Sequence, residues 1–277
     1  MRVQPDLRPA AVREPRADAA VDYFDRHAEY YDANQYRTGR RTFMNARHDT
    51  LTGILGSFAL QDGVRVLDAG CGPGHLAIEC ATRGWEVFAL DAAEGMIAVA
   101  KANATRARQG AIQFQLGSIE SLPYATDSFD LVCSAGVIEY LNPCDRAIAE
   151  LSRVLKPGGL LVLPTTNLLA PAHWLKPLLD PISRVPTVAQ WFGVRPGRYR
   201  TYFHYIPAFK RRLRSAALTI ERERYFYLTV PRPLDRLFPT AARRIEEACD
   251  RHMDSGLRFM AEGYIAIARK AGRAKGA

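Results

Sequence analysis

Three glycines fall at every second position in the segment "VLDAGCGPG", which runs from Val66 to Gly74. Asp68 precedes them at the end of a hydrophobic run. Gly70 and Gly72 permit a tight turn and let backbone N–H groups approach a ligand, because no Cβ stands in the way. A carboxylate at Asp68 would repel a diphosphate but attract a cationic ligand. The spacing also differs from the GxGxxG of dinucleotide-binding loops, so the segment favours a different, positively charged ligand.

A second acid, Asp91, ends the next hydrophobic run. A carboxylate in that place can accept hydrogen bonds from both hydroxyls of a ribose. Met96 and Ile119 are apolar residues placed to sandwich an adenine ring, and Ser118 could contact the polar edge of that ring. Ala135 is a small residue that leaves space at the end of a later hydrophobic run. Together these residues predict a nucleoside ligand.

The elements that must position these residues alternate regularly. Apolar spacing predicts two helices between residues 20 and 60, and then five strands that alternate with helices. The strands are predicted over residues 64–67, 86–91, 111–117, 129–136 and 160–167, with a turn at 157–159 before the fifth. This alternation predicts a parallel sheet covered by helices on both faces. Further on, a helix at 207–217, a strand at 218–230, a helix at 234–252 and a strand at 262–270 are predicted.

Two segments fall outside this pattern. Residues 1–19 mix Pro, Arg and Asp and lack an apolar core, so they are expected to form a disordered leader rather than a signal peptide. Residues 165–205 are rich in Pro, Trp and Leu without a clear period, which is typical of a functional insertion or lid. The remainder, residues 20–277, is expected to form one domain.

Four segments carry a resemblance to a known family: "VLDAGCGPG", "ALDAAEGMI", "GSIESLPYATDSFDLVCSAGVIEYL" and "ELSRVLKPGGLLVLPTTN". They are similar to the successive motifs of class I S-adenosylmethionine-dependent methyltransferases, of the small-molecule type that includes the ubiquinone and malonyl-carrier-protein enzymes. The resemblance implies an α/β, Rossmann-like, doubly wound sheet of seven strands whose last strand is antiparallel.

The resemblance also implies a binding site for S-adenosyl-L-methionine. The residues it assigns to this site are Tyr31, Asp68, Ala69, Gly70, Gly72, Asp91, Ala92, Met96, Ser118, Ile119 and Ala135. Two positions depart from the family pattern. Where this chain has Ser118, the family commonly has Asp, so the hydrogen bond to the adenine amine must be weaker or come from the backbone. Tyr140 stands where many relatives carry His, which argues against a borrowed His base.

The reaction follows from the donor that the resemblance implies. A sulfonium methyl is already activated, so transfer is an in-line displacement that needs mainly alignment at about 3 Å. A carboxylate or thiolate acceptor needs no base, whereas an alcohol or phenol needs one. The candidate bases are His173 and His204, in or beside the insertion, together with Glu139. A structural or surface role accounts for both histidines better than catalysis does, whereas for Glu139 a carboxylate that satisfies backbone N–H groups at a helix start explains the residue equally well. His75, which begins the helix after the glycine loop, is expected to be solvent-exposed.

Composition limits the partners. The net charge of +9 favours anionic partners, but only residues 210–214, "KRRLR", form a compact basic cluster, and a solvated helix face accounts for that cluster. Nucleic acid is therefore not expected as a partner. No apolar run approaches the roughly 20 residues that span a bilayer, although the apolar insertion could rest on a bilayer surface. Five scattered cysteines without a CxxC pair indicate no disulfide framework and no metal site, which favours a cytoplasmic protein.

The sequence therefore predicts an S-adenosylmethionine-dependent methyltransferase that acts on a small, apolar or lipid-like acceptor, with O-methylation favoured. One alternative is a methyltransferase whose substrate is RNA or protein. Another is a non-catalytic protein that binds S-adenosylmethionine, since a fold alone does not establish an activity. The identity of the acceptor and the oligomeric state do not follow from the sequence.

Overall fold

The computed structural model describes residues 15–38, 41–60, 63–171, 173, 201–228, 238, 240–241, 244–246, 248, 258 and 260–272. The helices are α1 (Pro15–Gln35), α2 (Phe43–Gly56), α3 (His75–Thr82), α4 (Glu94–Arg106), α5 (Asp145–Val154) and α6 (Ile206–Ser215), with a short 3₁₀ helix at Ile138–Tyr140. The strands are β1 (Arg65–Ala69), β2 (Glu86–Asp91), β3 (Gln113–Leu116), β4 (Phe129–Cys133), β5 (Leu155–Thr166), β6 (Leu218–Phe226) and β7 (Gly263–Lys270).

The strands form one seven-stranded sheet in the order β3-β2-β1-β4-β5-β7-β6. Strands β1 to β5 are parallel to one another, and β7 runs antiparallel to both β5 and β6. The predicted seven-stranded sheet with an antiparallel last strand is confirmed. The strand order reverses between β1 and β4, and this is the place where a ligand crevice forms in open α/β sheets.

The core lies in two layers, one on each face of the sheet. Successive side chains of a strand point to opposite faces, so neighbouring residues of β1 enter different layers. Val66 packs in the layer that contains Leu51 of α2 and Leu76 of α3. Leu67 packs in the layer that contains Leu151 of α5 and Phe209 of α6. Burial on both faces explains why these strands read as continuous apolar runs.

The boundary between α5 and β5 differs from the prediction. The residues expected to form a turn, 157–159, lie inside β5. Two steps along β4, from Phe129 to Leu131, pair across five steps of β5, from Leu155 to Leu160. The extra residues therefore form a bulge in the strand, where Gly158 adopts a positive φ of 80°.

The ends of the chain and the insertion are only partly covered. Helix α1 begins at Pro15, so residues 15–19 are helical, which corrects this part of the predicted disordered leader. Residues 1–14, most of the insertion (172 and 174–200) and most of the predicted helix at 234–252 lie outside the described residues. Among the described helices, none combines the length and the apolar character required to cross a bilayer.

A pair of glycine substitutions tests the packing of the loop after β1. Gly63 and Gly70 have similar positive φ angles of 79° and 82°, but a Cβ at Gly63 would meet nothing within 4 Å, whereas a Cβ at Gly70 would lie 1.9 Å from Cγ2 of Val137. We expect Gly63→Ala to cost about 1–2 kcal/mol of unfolding free energy through backbone strain. Gly70→Ala should cost about 1–3 kcal/mol more through overpacking.

Urea unfolding of both variants measures this difference. Val137→Ala introduced into the Gly70→Ala variant should recover part of the loss, because it removes the atom in the way. Equal losses for the two single glycine variants would show that Val137 does not pack against Gly70.

Candidate functional site

A cleft opens at the carboxyl ends of β1, β2 and β4. It lies at the point where the strand order reverses. The residues of the predicted donor site that line it are Tyr31, Gly70, Gly72, Asp91, Ala92, Met96, Ser118, Ile119 and Ala135. Asp68 lines a smaller adjoining cavity, and Ala69 is buried within β1. The structure thus brings most of the predicted residues to one cleft.

The glycine loop is attached to the end of β2. The backbone N–H groups of Gly70 and Cys71 both donate to the carbonyl oxygen of Leu90, at 2.6 and 2.9 Å. The N–H of Gly72 donates to Oδ2 of Asp91 at 2.8 Å. A Cβ at Gly72 would meet nothing within 4 Å, so the backbone here faces open space in the cleft. These hydrogen bonds fix the position of the loop, and its backbone at Gly72 is accessible from the cleft because no side chain covers it.

Asp91 anchors two loops with one carboxylate. Its Oδ2 accepts from Gly72, and its Oδ1 accepts from the N–H of Ala93 at 2.9 Å. Burial raises the pKa of Asp91, although the hydrogen bonds from Ala93 and Gly72 oppose this rise. The N–H of Ala92 also interacts with this carboxylate. A carboxylate has about four acceptor positions, so acceptor capacity remains for a hydroxyl donor in the cleft.

Asp68 is buried at the end of β1, with 1% of its surface exposed. Among the described residues its Oδ2 has no hydrogen-bond partner. Burial, followed by the charge of Asp91, raises the pKa of Asp68 to about 7. A buried carboxyl oxygen without a partner is costly, so the position is suited to a ligand that brings a cation or a donor.

Arg47 was not among the predicted site residues, yet it lines both cavities. It lies on α2, and only 3% of its surface is exposed. Although burial opposes its charge, Tyr36 and Glu139 raise the pKa of Arg47, so the guanidinium stays protonated. The sequence holds one signal for this role: Arg47 shares a helical stripe with the buried Leu51 and Ile54, where a charged residue needs a partner.

Glu139 is that partner. Nη1 of Arg47 lies 3.3 Å from Oε1 of Glu139, and both side chains are buried. Burial raises the pKa of Glu139, while the charge of Arg47 opposes the rise. Glu139 does not line the cleft, although Val137 and Tyr140 on either side of it do. The predicted catalytic candidate therefore contacts Arg47 behind the wall of the cleft.

The two candidate histidines do not line the cleft either. Nδ1 of His204 lies 2.7 Å from Oγ1 of Thr165, and Nε2 lies 3.7 Å from Sγ of Cys144. Burial, followed by the charge of Arg212, lowers the pKa of His204 to about 4, so the ring is neutral at physiological pH. His173 stacks on another ring of the insertion, with 4.2 Å between the two centroids. Their assignment as bases stays a prediction.

Helix α1 forms one wall of the cleft through Phe24 and Tyr31, and Tyr36 follows it. Two carboxylates attach α1 to two neighbouring helices, α4 and α3. Oδ1 of Asp25 accepts from the N–H of Gly95 at 2.6 Å, at the start of α4.

The second attachment reaches α3. Oδ1 of the buried Asp32 lies 2.6 Å from Nε2 of His75. Only 26% of the His75 side chain is exposed, so the expectation that it is simply solvent-exposed was wrong. Burial opposes the charge of Asp32, but the hydrogen bond and charge of His75 and the charge of Arg37 outweigh it and lower the pKa of Asp32.

The raised pKa of Asp68 predicts a specific pH dependence of stability. The native carboxyl keeps its proton up to about pH 7, whereas the unfolded one releases it near its ordinary pKa of 3.8. The native state therefore binds more protons between these values, and the free energy of unfolding should fall as the pH rises through this window. Asp68→Asn should lack this component of the fall.

Urea unfolding of the wild type and Asp68→Asn at about pH 5 and about pH 8 measures the effect. Asp145→Asn, which changes an exposed carboxylate, should follow the wild type. Parallel pH profiles for the wild type and Asp68→Asn would show that Asp68 ionises normally in the fold.

Comparison with known proteins finds similarity over part of the chain. Residues 67–163 match the family described as Methyltransferase domain. The malonyl-(acyl-carrier protein) O-methyltransferase of Serratia marcescens is 35% identical over 150 residues, which cover 53% of this chain and 52% of the relative. The chain thus matches about half the length of that curated relative.

Solved structures agree on the fold. Magnesium protoporphyrin IX methyltransferase from Synechocystis PCC 6803, with bound SAH, matches 92% of this chain and 99% of its own at a TM-score of 0.62 and 20% identity. A (4+2)-cyclase matches 95% of this chain and 100% of its own at a TM-score of 0.61 and 20% identity. Over residues 67–163 the chain therefore matches the methyltransferase-domain model, and it shares its fold with a methyltransferase of known structure.

Proposed function

We propose that the protein is an S-adenosylmethionine-dependent methyltransferase that transfers a methyl group to an oxygen of a small, apolar or lipid-like acceptor. The observation that carries the proposal is the cleft at the reversal of strand order, where Asp91 holds the open backbone at Gly72 and keeps acceptor capacity of its own. This arrangement suits a nucleoside whose ribose hydroxyls reach Asp91.

The base-binding end of the cleft fits an adenine ring. Met96 and Ile119 line it and are both buried, so they supply apolar surface. Ser118 also lines it, but its Oγ already accepts from the N–H of Glu120 at 3.2 Å. The hydroxyl can still donate to a ring nitrogen, whereas an Asp in this position would accept from the adenine amine. We infer weaker recognition of that amine than in relatives with Asp.

The opposite end fits an amino-acid tail. Arg47 would hold a carboxylate, and Asp68, with its unpartnered oxygen, would hold an ammonium group. Gly70, Cys71 and Arg47 line both cavities, and Asp68 lines the smaller one, so both charged groups share that cavity with the loop. The cleft therefore offers a cationic group, Arg47, to the carboxylate of a methionine tail and an acidic group, Asp68, to its ammonium group.

S-adenosylmethionine supplies a methyl group that its sulfonium has already activated. The protein then has to align the acceptor and exclude water. Phe24, Tyr31 and Tyr140 line the cleft and provide an aromatic wall that can exclude water.

The named activity of the Serratia relative, an O-methyltransferase, supports oxygen as the acceptor atom. A carboxylate oxygen would need no base, because it is already ionised at neutral pH. The acceptor we propose is accordingly small, either free or linked to a carrier.

The described surface gives little support to an RNA substrate. Within the basic cluster of α6, Lys210 forms an ion pair with Glu223, and Arg212 forms one with Asp145. These pairs reduce the charge available to phosphates.

We also infer a cytoplasmic location. In keeping with it, the described residues include four free cysteines, Cys71, Cys80, Cys133 and Cys144.

Donor recognition can be tested by substituting Asp91. Asp91→Ala removes the proposed ribose acceptor and the anchor of Gly72 together, so S-adenosylhomocysteine should bind more weakly by more than about 1 kcal/mol. Calorimetric titration measures the affinity. Asp145→Ala, which removes an exposed carboxylate on α5, should bind like the wild type. An unchanged affinity for Asp91→Ala would show that the ribose assignment is wrong.

The acceptor can be identified by label transfer. Incubation with methyl-labelled S-adenosylmethionine and fractionated extract should place label in the lipid or small-metabolite fraction. Alkaline treatment should then release labelled methanol if the product is a carboxylate methyl ester, whereas an ether or an N-methyl product keeps its label. Label in the RNA or protein fraction would favour those substrates, and donor binding without any transfer would indicate a non-catalytic binding protein.

A further inference from the structure

We propose that Glu139 is a positioning residue that orients Arg47 toward the carboxylate of the donor and links this end of the cleft to the acceptor side. The inference rests on the proposed function, because it presumes a donor with an amino-acid tail. Glu139 itself does not line the cleft, so its effect on a ligand has to pass through Arg47.

The guanidinium of Arg47 is confined from several sides. A Cβ at Gly136 would lie 2.4 Å from Nη2, so the group packs directly on the backbone there. The ring of Phe43 lies on another side, with its centroid 6.0 Å from Cζ. Among the described residues, Glu139 makes the one hydrogen bond to this guanidinium. Because a guanidinium carries five N–H donors, donors remain for a ligand in the cavities that Arg47 lines.

The side chain of Glu139 contacts the guanidinium of Arg47 and does not line the cleft. Val137, which precedes the 3₁₀ helix, and Tyr140 within it both line the cleft, whereas Glu139 does not. Its Oε1 accepts from Arg47, and its Oε2 has no partner among the described residues. Burying a carboxylate with one oxygen unpaired costs free energy, so packing alone does not account for this residue.

The backbone of the same residue reaches the acceptor side. The carbonyl oxygen of Glu139 accepts from the N–H of Tyr202 at 2.7 Å. The segment that contains Tyr202 continues into His204, whose N–H donates to the carbonyl of Thr166 at 2.9 Å, at the end of β5. Residues 201–205 close the predicted insertion, so one residue connects the donor-side guanidinium with the segment expected to contact the acceptor.

A pair of ligands separates this role from a general structural one. S-adenosylhomocysteine carries the amino-acid tail, and 5′-methylthioadenosine lacks it. Glu139→Gln keeps the size of the side chain and one acceptor for Arg47, but it replaces a charged hydrogen bond by a neutral one, which is roughly half as strong. We expect calorimetry to show about tenfold weaker binding of S-adenosylhomocysteine and a change of less than about twofold for 5′-methylthioadenosine.

The double variant shows whether Glu139 acts through Arg47. The loss of affinity for S-adenosylhomocysteine in Glu139→Gln/Arg47→Lys should be no larger than in Arg47→Lys alone, because coupled residues are not additive. Additive losses, or equal weakening of both ligands by Glu139→Gln, would overturn the proposal. Should Glu139→Gln fail to fold, Glu139→Asp provides the same comparison with the charge kept and the reach shortened.

The wild type distinguishes a failure of this inference from a failure of the proposed function. If the wild type binds neither ligand, the donor assignment is wrong, and the role of Glu139 falls with it. If the wild type binds both and Glu139→Gln binds both equally well, the donor assignment stands and only the positioning role is overturned.

Discussion

The shape of the cleft depends on the carboxylate of Asp91. Its two oxygens hold the N–H groups of Gly72 and Ala93, which belong to the loops that follow β1 and β2. The parallel pairing of these strands, with Ala69 opposite Leu90, brings both loops to the same edge of the sheet. A single carboxylate thus links two walls of the cleft, and the backbone at Gly72 is anchored from the side while it faces the cleft.

The sequence predicted the sheet and its ligand edge well because both depend on local patterns. Continuous apolar runs mark strands that are buried on both faces, and the run that ends at Asp91 stops where β2 stops. The bulge in β5 was missed, since Pro and Gly at 157–159 favour a turn, but pairing with β4 continues on both sides of them. Here tertiary pairing prevailed over local preference.

The Arg47–Glu139 pair could not be predicted from spacing. The two residues are far apart along the chain and meet only when α2 packs beside the end of β4. Their distance follows from the assembled fold, although an arginine within an apolar helical stripe does signal a buried partner. For the histidines, residue type alone suggested a base; the structure places His204 against Thr165 and Cys144, and the role of a base stays a prediction. Residue type without position is weak evidence for catalysis.

Helix α1 has a consequence for the rates at which ligands exchange. It forms one wall of the cleft and is attached to α4 through Asp25 and to α3 through Asp32. A ligand that passed through this wall would have to break both attachments, which would slow arrival and departure alike. The strength of these contacts would then set how long a ligand resides in the cleft, with little influence on the equilibrium constant.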